Sequence, residues 1–260
     1  MIKITLYINC LKTILSNSIL LVSAFLMMSI GLAHSEILVS QPKPIDISAV
    51  NSVNTKLESA KLESTKPFSV SYELLANGQK TNWDMVRKPD SIITFNETTQ
   101  RGEIWQRDNK GEISHTRIFP REKKLVEYTQ GELKTLNKLP NWNQLASIFN
   151  PEQVTKLKKT GEKERFGKQA LILEGTLNGL PTIIWWIDEL QIPAYVKQGE
   201  GHLRTQIIMK ALYKVTPAQW AWADSSTFEN YAKIDASDLG NMESDPFVKT
   251  LLKAEANHHH

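Results

Sequence analysis

Cysteine is almost missing from this chain: one residue in 260, Cys10, and it precedes everything that reads as a folded domain. Lys3 and Lys12 form a basic start, Ile19–Leu32 is an apolar run, and Ala33-His34-Ser35 is a small-x-small processing site before Glu36. This is the pattern of a signal peptide spanning residues 1–35. Its apolar run is shorter than the ~20 residues a membrane-spanning helix needs, so cleavage, no stable span afterwards and a periplasmic location are expected. Cys10 leaves with the leader and, lying before the apolar run, is not a lipid-attachment site. The mature chain then has no disulfide, no thiol nucleophile and no thiolate metal site, although its compartment permits disulfides.

Other absences exclude further classes. No G-x-S-x-G and no H-E-x-x-H is present, which removes the recognisable serine-hydrolase and zinc-protease signatures. Between the leader and the terminal His258-His259-His260 the only histidines are His115 and His202, both read as structural or solvent-facing. The terminal triplet reads equally as a transition-metal binder and as a purification-tag remnant, so it carries no argument. Glu103, Asp108 and Glu112 lie around one hairpin, but without the burial or spacing that paired-carboxylate catalysis requires. Asp235–Asp245 is rich in oxygen ligands but lacks the alternate spacing and central glycine of a calcium loop; it reads as a solvated acidic segment ending in an N-cap at Asp245. No enzyme, no metal and no cofactor are expected. Cationic excess is missing too. Once Lys3 and Lys12 are gone, the 31 basic side chains fall to 29 against 28 acidic ones, and no arginine patch interleaves with aromatics, so nucleic acid is not an expected partner.

What remains is about 225 residues, enough for one sizeable core. Residues 36–66 open with Pro42 and Pro44 and continue through a weak helical spacing (Ile47, Val50, Val53, Leu57) that contains the echo KLESAKLEST; this is a linker or an N-terminal helix. From Phe68 the apolar period becomes two. Phe68, Val70, Tyr72 and Leu74 alternate with polar residues up to Asn77-Gly78, a strong hairpin signal. Further short strands follow, around Trp83 and Met85, Ile93 and Phe95, Trp105, Glu112–Phe119, Lys123–Thr129 and Glu132–Leu136. Even spacing with turn residues between predicts an antiparallel meander. Two helices then interrupt it. Asn141 caps one bearing Trp142, Leu145, Ile148 and Phe149; Asn150-Pro151 starts another that runs through Val154 and Leu157 to Gly161. Strands resume at Lys168–Leu177, at Pro181–Val196 and at Leu203–Val215, where Leu203, Thr205, Ile207, Met209, Ala211, Tyr213 and Val215 should share one face. Residues 217–260 form an extension with Trp220, Trp222 and a short last helix after Asp245-Pro246.

The order of elements resembles the periplasmic lipoprotein-carrier (LolA/LolB-like) superfamily over about Phe68–Val215. The residues that carry it are the hairpins beginning FSVSYELLANGQKTNW, the two inserted helices, and the block PTIIWWIDELQIPAYV. The resemblance implies a mostly β (α+β) fold in which a curved antiparallel sheet, residues 67–216, forms a half-barrel with helices over its concave face. It implies a carrier or binder of an acyl chain, lipid or lipoprotein. An envelope interaction or sensory module, binding a protein partner through the same fold and the C-terminal tail, is the alternative. The expected lining of the apolar cavity is Trp83, Trp105, Trp185, Trp186 and Tyr195, with Trp185 and Trp186 on opposite faces of one strand.

Overall fold

The computed structural model describes residues 67–201 and 204–256; the leader, the 36–66 segment, His202 and the histidine triplet lie outside the described residues. Two meanders make one twelve-stranded sheet. The first comprises β1 (Phe68–Ala76), β2 (Gln79–Arg87), β3 (Ser91–Asn96), β4 (Arg101–Arg107), β5 (Ile113–Phe119) and β6 (Lys124–Tyr128). The second comprises β7 (Lys158–Arg165), β8 (Lys168–Leu177), β9 (Leu180–Ile187), β10 (Ile192–Gln198) and β11 (Thr205–Tyr213). β1 pairs with β11 and joins the halves, and β12 (Ala232–Asp235) adds to β6 in parallel. The Asn77-Gly78 and Asn178-Gly179 turns place both residues at positive φ, 51° and 74° in the first and 52° and 77° in the second, the backbone a tight two-residue hairpin requires.

The chain between β6 and β7 crosses the concave, inner face from one edge of the half-barrel to the other. It carries α1 (Gln130–Thr135), α2 (Trp142–Ser147) and α3 (Pro151–Val154). α1 replaces the strand expected at Glu132–Leu136. Thr129 and Glu132 form a reciprocal capping box, so local hydrogen bonding starts a helix there. α3 is a single turn. Lys158 and Lys159, inside the helix expected to run to Gly161, lie instead on β7, an exposed edge strand paired with β8, where charge discourages edge-to-edge association. The long alternation of β11 is also interrupted. Ser71 pairs with Ala211 and Tyr72 with Met209, leaving Lys210 as the extra residue of a bulge. Met209 and Leu212 therefore pack with the main core, whereas Tyr213 turns to the outer face against Trp220.

The tail is built into the domain. Trp220 and Trp222 cover Val86, Ile93 and Ile104 on the outer face, and Phe228 covers Ile118 and Leu125. Trp222 stacks on Phe95 with centroids 5.2 Å apart. After β12 the chain passes to the inner face, where α4 (Pro246–Ala256) buries Val248 and Leu251 in the main core. Phe247 meets the ring of Phe119 edge-on at 4.9 Å, and Lys124 Nζ donates to Asp245 at 2.7 Å. Asp245 caps α4 by accepting from Phe247 N, as its position before the proline suggested. Trp220→Ala should therefore lower unfolding stability by about 3 kcal/mol in denaturant titration, the usual cost of truncating a buried aromatic.

Asp84 is nearly inaccessible on the outer side of β2. Ser71 Oγ donates to its Oδ1 at 2.6 Å, while Oδ2 has no hydrogen-bond partner. Burial pushes its pKa up to about 6, against the pull of Ser71. A carboxyl whose folded pKa is raised costs stability as pH rises from its unfolded value near 4 to about 6. Asp84→Asn should stabilise the protein at pH 7 by about 1–2 kcal/mol, after allowance for partial solvation, and make no difference near pH 3. Denaturant midpoints at the two pH values check this.

Candidate functional site

The candidate site is the inner face of the sheet, where the crossing segment packs over it. Registration across the strands fixes its membership, because directly opposed residues share a face. On the first meander it presents Phe68, Val70, Tyr72, Trp83, Met85, Arg87, Ile92, Trp105, His115 and Tyr128. On the second it presents Ile207, Val196, Ile184, Trp186, Leu171 and Leu173. Leu133 of α1 and Trp142, Leu145 and Ala146 of α2 pack on the first group; Phe149, Val154 and Leu157 pack on the second. Leu157 lies against the backbone of Gly175, where an added Cβ would stand 2.8 Å from its Cδ2. Ile148 touches both clusters and has φ 69°. A β-branched residue in that region stores strain of about 1–3 kcal/mol, placed here between α2 and α3.

Arg87 holds this cover down. It is 2% exposed, and its guanidinium lies 4.2 Å from the ring of Phe68. One terminal nitrogen donates to Ala146 O at 2.8 Å, in the last turn of α2; the other donates to Leu190 O at 2.7 Å, in the β9–β10 turn. Burial lowers its pKa to about 10, which leaves it charged at neutral pH. Tyr72 adds a second tie by donating its phenol to Pro193 O at 2.9 Å, and burial pushes its pKa far up. Trp83, Met85 and Arg87 occupy alternate positions of one strand, so Arg87 could have been placed on this face from the sequence by parity alone.

Beside it lies a polar cluster. Glu103 is buried, unlike Asp108 and Glu112, which stay exposed around the β4–β5 turn and correct the expectation that nothing buries any of the three. Glu103 Oε2 accepts from Trp105 Nε1 at 3.3 Å and stands 3.6 Å from His115 Nε2. His115 stacks on Trp105 with centroids 3.8 Å apart and lies 5.4 Å from Tyr128. Burial drives the His115 pKa down, favouring the neutral ring. Burial pushes Glu103 up, but His115, Arg117 and Trp105 outweigh it and hold the carboxyl below the usual range.

The five aromatic residues expected from the sequence fall in two places. Trp83, stacked on Tyr72 at 5.0 Å, Trp105 and Trp186 lie on the inner face. Trp185 and Tyr195 pair across β9 and β10 on the opposite side, 4.7 Å apart, with Lys163 Nζ 4.5 Å above the Trp185 ring. Among the described residues no group of three His, Cys, Asp or Glu side chains could hold a metal ion, and no helix is long and apolar enough to cross a membrane.

No family model matches the chain, and no curated protein matches it. Solved structures do. PNGF-II is similar at 12% identity and TM-score 0.39, over 70% of this chain and 34% of that one, so the chain spans about a third of its length. The Pseudomonas aeruginosa MucA/MucB complex is similar at 13% identity and TM-score 0.35, covering 66% and 61%. A domain assigned to outer membrane lipoprotein sorting, from Vibrio parahaemolyticus, is similar at 7% identity and TM-score 0.29, covering 67% and 95%. The likeness is one of fold.

Arg87→Lys keeps the charge but offers one donor head where two carbonyls need donors. Amide exchange over Trp142–Val154 and Ile187–Ile192 should quicken about tenfold to hundredfold, the equivalent of one charged hydrogen bond of about 1.5–3 kcal/mol, with β3–β5 unchanged.

Proposed function

We propose that this chain is a non-enzymatic periplasmic protein that takes an acyl chain, as part of a lipid or lipoprotein, onto the inner face of its half-barrel beneath α1–α3. The observation that carries the reading is Arg87. A buried cation is ordinarily paired with a carboxylate, because an uncompensated charge is expensive to bury. Arg87 is hydrogen-bonded to two main-chain carbonyls, each on a segment that covers the face. Such a tie can open without separating opposite charges, since water satisfies a neutral carbonyl and a guanidinium equally well. Beneath it lie Trp83, Trp105 and Trp186 and the aliphatic residues of β8–β11, and the strained Ile148 sits in the cover itself. Aliphatic and aromatic lining with few polar groups suits an apolar ligand. The leader in residues 1–35 supports export.

Capture of a protein partner through the tail has less behind it. Trp220 and Phe228 are buried, Trp222 packs in the same outer-face clusters, and α4 is part of the inner core.

Delipidated protein should bind a fluorescent fatty-acid analogue saturably. Trp186→Ala should weaken binding at least fivefold, and Trp185→Ala, on the far side of β9, should change it less than twofold. A folded protein that shows no saturable binding would overturn the proposal.

A further inference from the structure

Three hairpins of this sheet close on the same backbone, and one of them departs from the others in sequence. Asn77-Gly78, Asn178-Gly179 and Phe166-Gly167 each place two successive residues at positive φ; for Phe166 and Gly167 the angles are 53° and 67°. Asparagine tolerates that left-handed region because its short amide bonds locally, whereas a bulky side chain is a poor occupant. Phe166 therefore does nothing for the turn that asparagine would not do better. It does not serve the core either, being 40% exposed and outside all the buried clusters. An aromatic ring kept at a hairpin tip against local preference is there for something the protein meets.

The ring is part of a larger surface. Arg165 lies between Phe166 and Trp185, its guanidinium carbon 5.1 and 6.0 Å from the two ring centroids, and Lys163 Nζ stands 4.5 Å from the Trp185 centroid. From Trp185, registration carries a row across the outer face: Ile172, Trp185, Tyr195 and Ile208 oppose one another on β8, β9, β10 and β11. All four are only partly buried, since the aromatic residues of the tail cover the outer face over β2–β6. Charge is sorted around this row. Glu162-Lys163-Glu164-Arg165 alternates in sign along β7, so the pleat turns Lys163 and Arg165 toward Trp185 and the two glutamates to the other side. Lys197 opposes Ile183 on the outer face, in the next row. Among the described residues neither Lys163 nor Lys197 has a carboxylate within ion-pair distance. Of the acids nearby, Glu162 pairs with Lys159, Glu189 with Lys168, and Glu73, at the far end of the row, with Lys80 and Lys210; Glu174 accepts from the Thr160 hydroxyl.

We infer that this side of the sheet, the Phe166 tip together with the row from Ile172 to Ile208, docks on an anionic lipid bilayer. A convex face fits a broad, yielding surface better than a second rigid one. Tryptophan and tyrosine settle at the head-group level of a bilayer, an apolar ring such as that of Phe166 enters just below it, and lysine and arginine reach the phosphates. Tyr195 has this divided form: its ring meets Trp185, and its hydroxyl accepts from Gln206 Nε2 at 3.0 Å. Cations without carboxylate partners beside aromatic rings supply the charge complement of a negative head-group layer. The docking is independent of what the inner face carries.

The test is flotation of exported, leader-free protein with lipid vesicles. Vesicles of equal parts phosphatidylglycerol and phosphatidylcholine should bind it at least tenfold more tightly than phosphatidylcholine alone, and salt should weaken the binding. Phe166→Asn places at the tip the residue that the other two hairpins use, so it should fold at least as stably as the unaltered protein while vesicle affinity drops at least fivefold. Lys163→Gln/Lys197→Gln should lower affinity for the anionic vesicles at least tenfold. Lys110→Gln/Lys249→Gln, which removes the same charge from exposed positions elsewhere, should change it less than twofold. Equal binding to both kinds of vesicle would overturn the proposal, and so would anionic-vesicle binding that neither Phe166→Asn nor Lys163→Gln/Lys197→Gln weakens. Absence of vesicle binding would overturn it too; poly-glutamate held by the unaltered protein and lost by Lys163→Gln/Lys197→Gln would then assign the face to an acidic polypeptide.

Discussion

A cation buried without a carboxylate ties three separate pieces of this molecule together. Arg87 projects from β2, in the first meander. Its acceptors are Ala146 O, in the crossing segment, and Leu190 O, in the β9–β10 turn of the second meander. Burying a guanidinium is costly unless its donors are met; the Arg87 Nε has no partner, so the two terminal nitrogens depend on both segments being in place. The half-barrel, its cover and the turn are thereby coupled through one side chain. Tyr72, donating to Pro193 O, repeats the logic with a neutral group three residues away along the same turn. Strain works in the other direction. Ile148, at φ 69° between α2 and α3, stores energy in the same cover that Arg87 holds closed.

The tail solves a problem that the half-barrel creates. A single curved sheet has two apolar faces and two edges, and the crossing segment covers only one face. The stretch from Trp220 to Tyr231 closes the outer face of β2–β6, β12 occupies the β6 edge, and α4 completes the inner face. Lys124 and Asp245 join the start of β6 to the cap of α4. Among the described residues the opposite edge, β7, has no such cover; its lysines and glutamates protect it by charge instead. Domain and extension thus share one core, and the change in sequence pattern near Pro217 marks a change of role and not the end of the fold.

Much of this architecture is legible in the residues, and the failures have physical causes. The Asn-Gly turns, the period-two runs and the Asn141 and Asn150 caps are local signals, read locally. Glu132–Leu136 misleads because its capping box competes with a strand-like composition. The lysines of β7 mislead because a basic run after a helix start fits a dipole argument as well as an edge-strand one. The bulge at Lys210 cannot be seen at all, since it exists only against β1. Of the expected aromatic lining, Trp83, Trp105 and Trp186 share the inner face, and Trp185 and Tyr195 lie across the strand from it. Parity separated Trp185 from Trp186; which of them faced the helices required the partner strands. Arg87 does not stand out in the sequence because a lone arginine in an apolar alternation looks like a strand end, and its acceptors lie 59 and 103 residues away.

The composition of the inner face follows from chain order. The first meander places Asn96, Arg101, Glu103, His115 and Arg117 on its inward positions, while the second places leucine, isoleucine, valine and tryptophan there together with the buried Thr182 and Gln198. Only the β1–β11 pairing brings the two together, and it does so with Tyr72, Leu74, Ile207 and Met209 in contact across the seam. The inward composition is therefore set by the order in which the strands follow one another, and the two halves of the face meet along that seam.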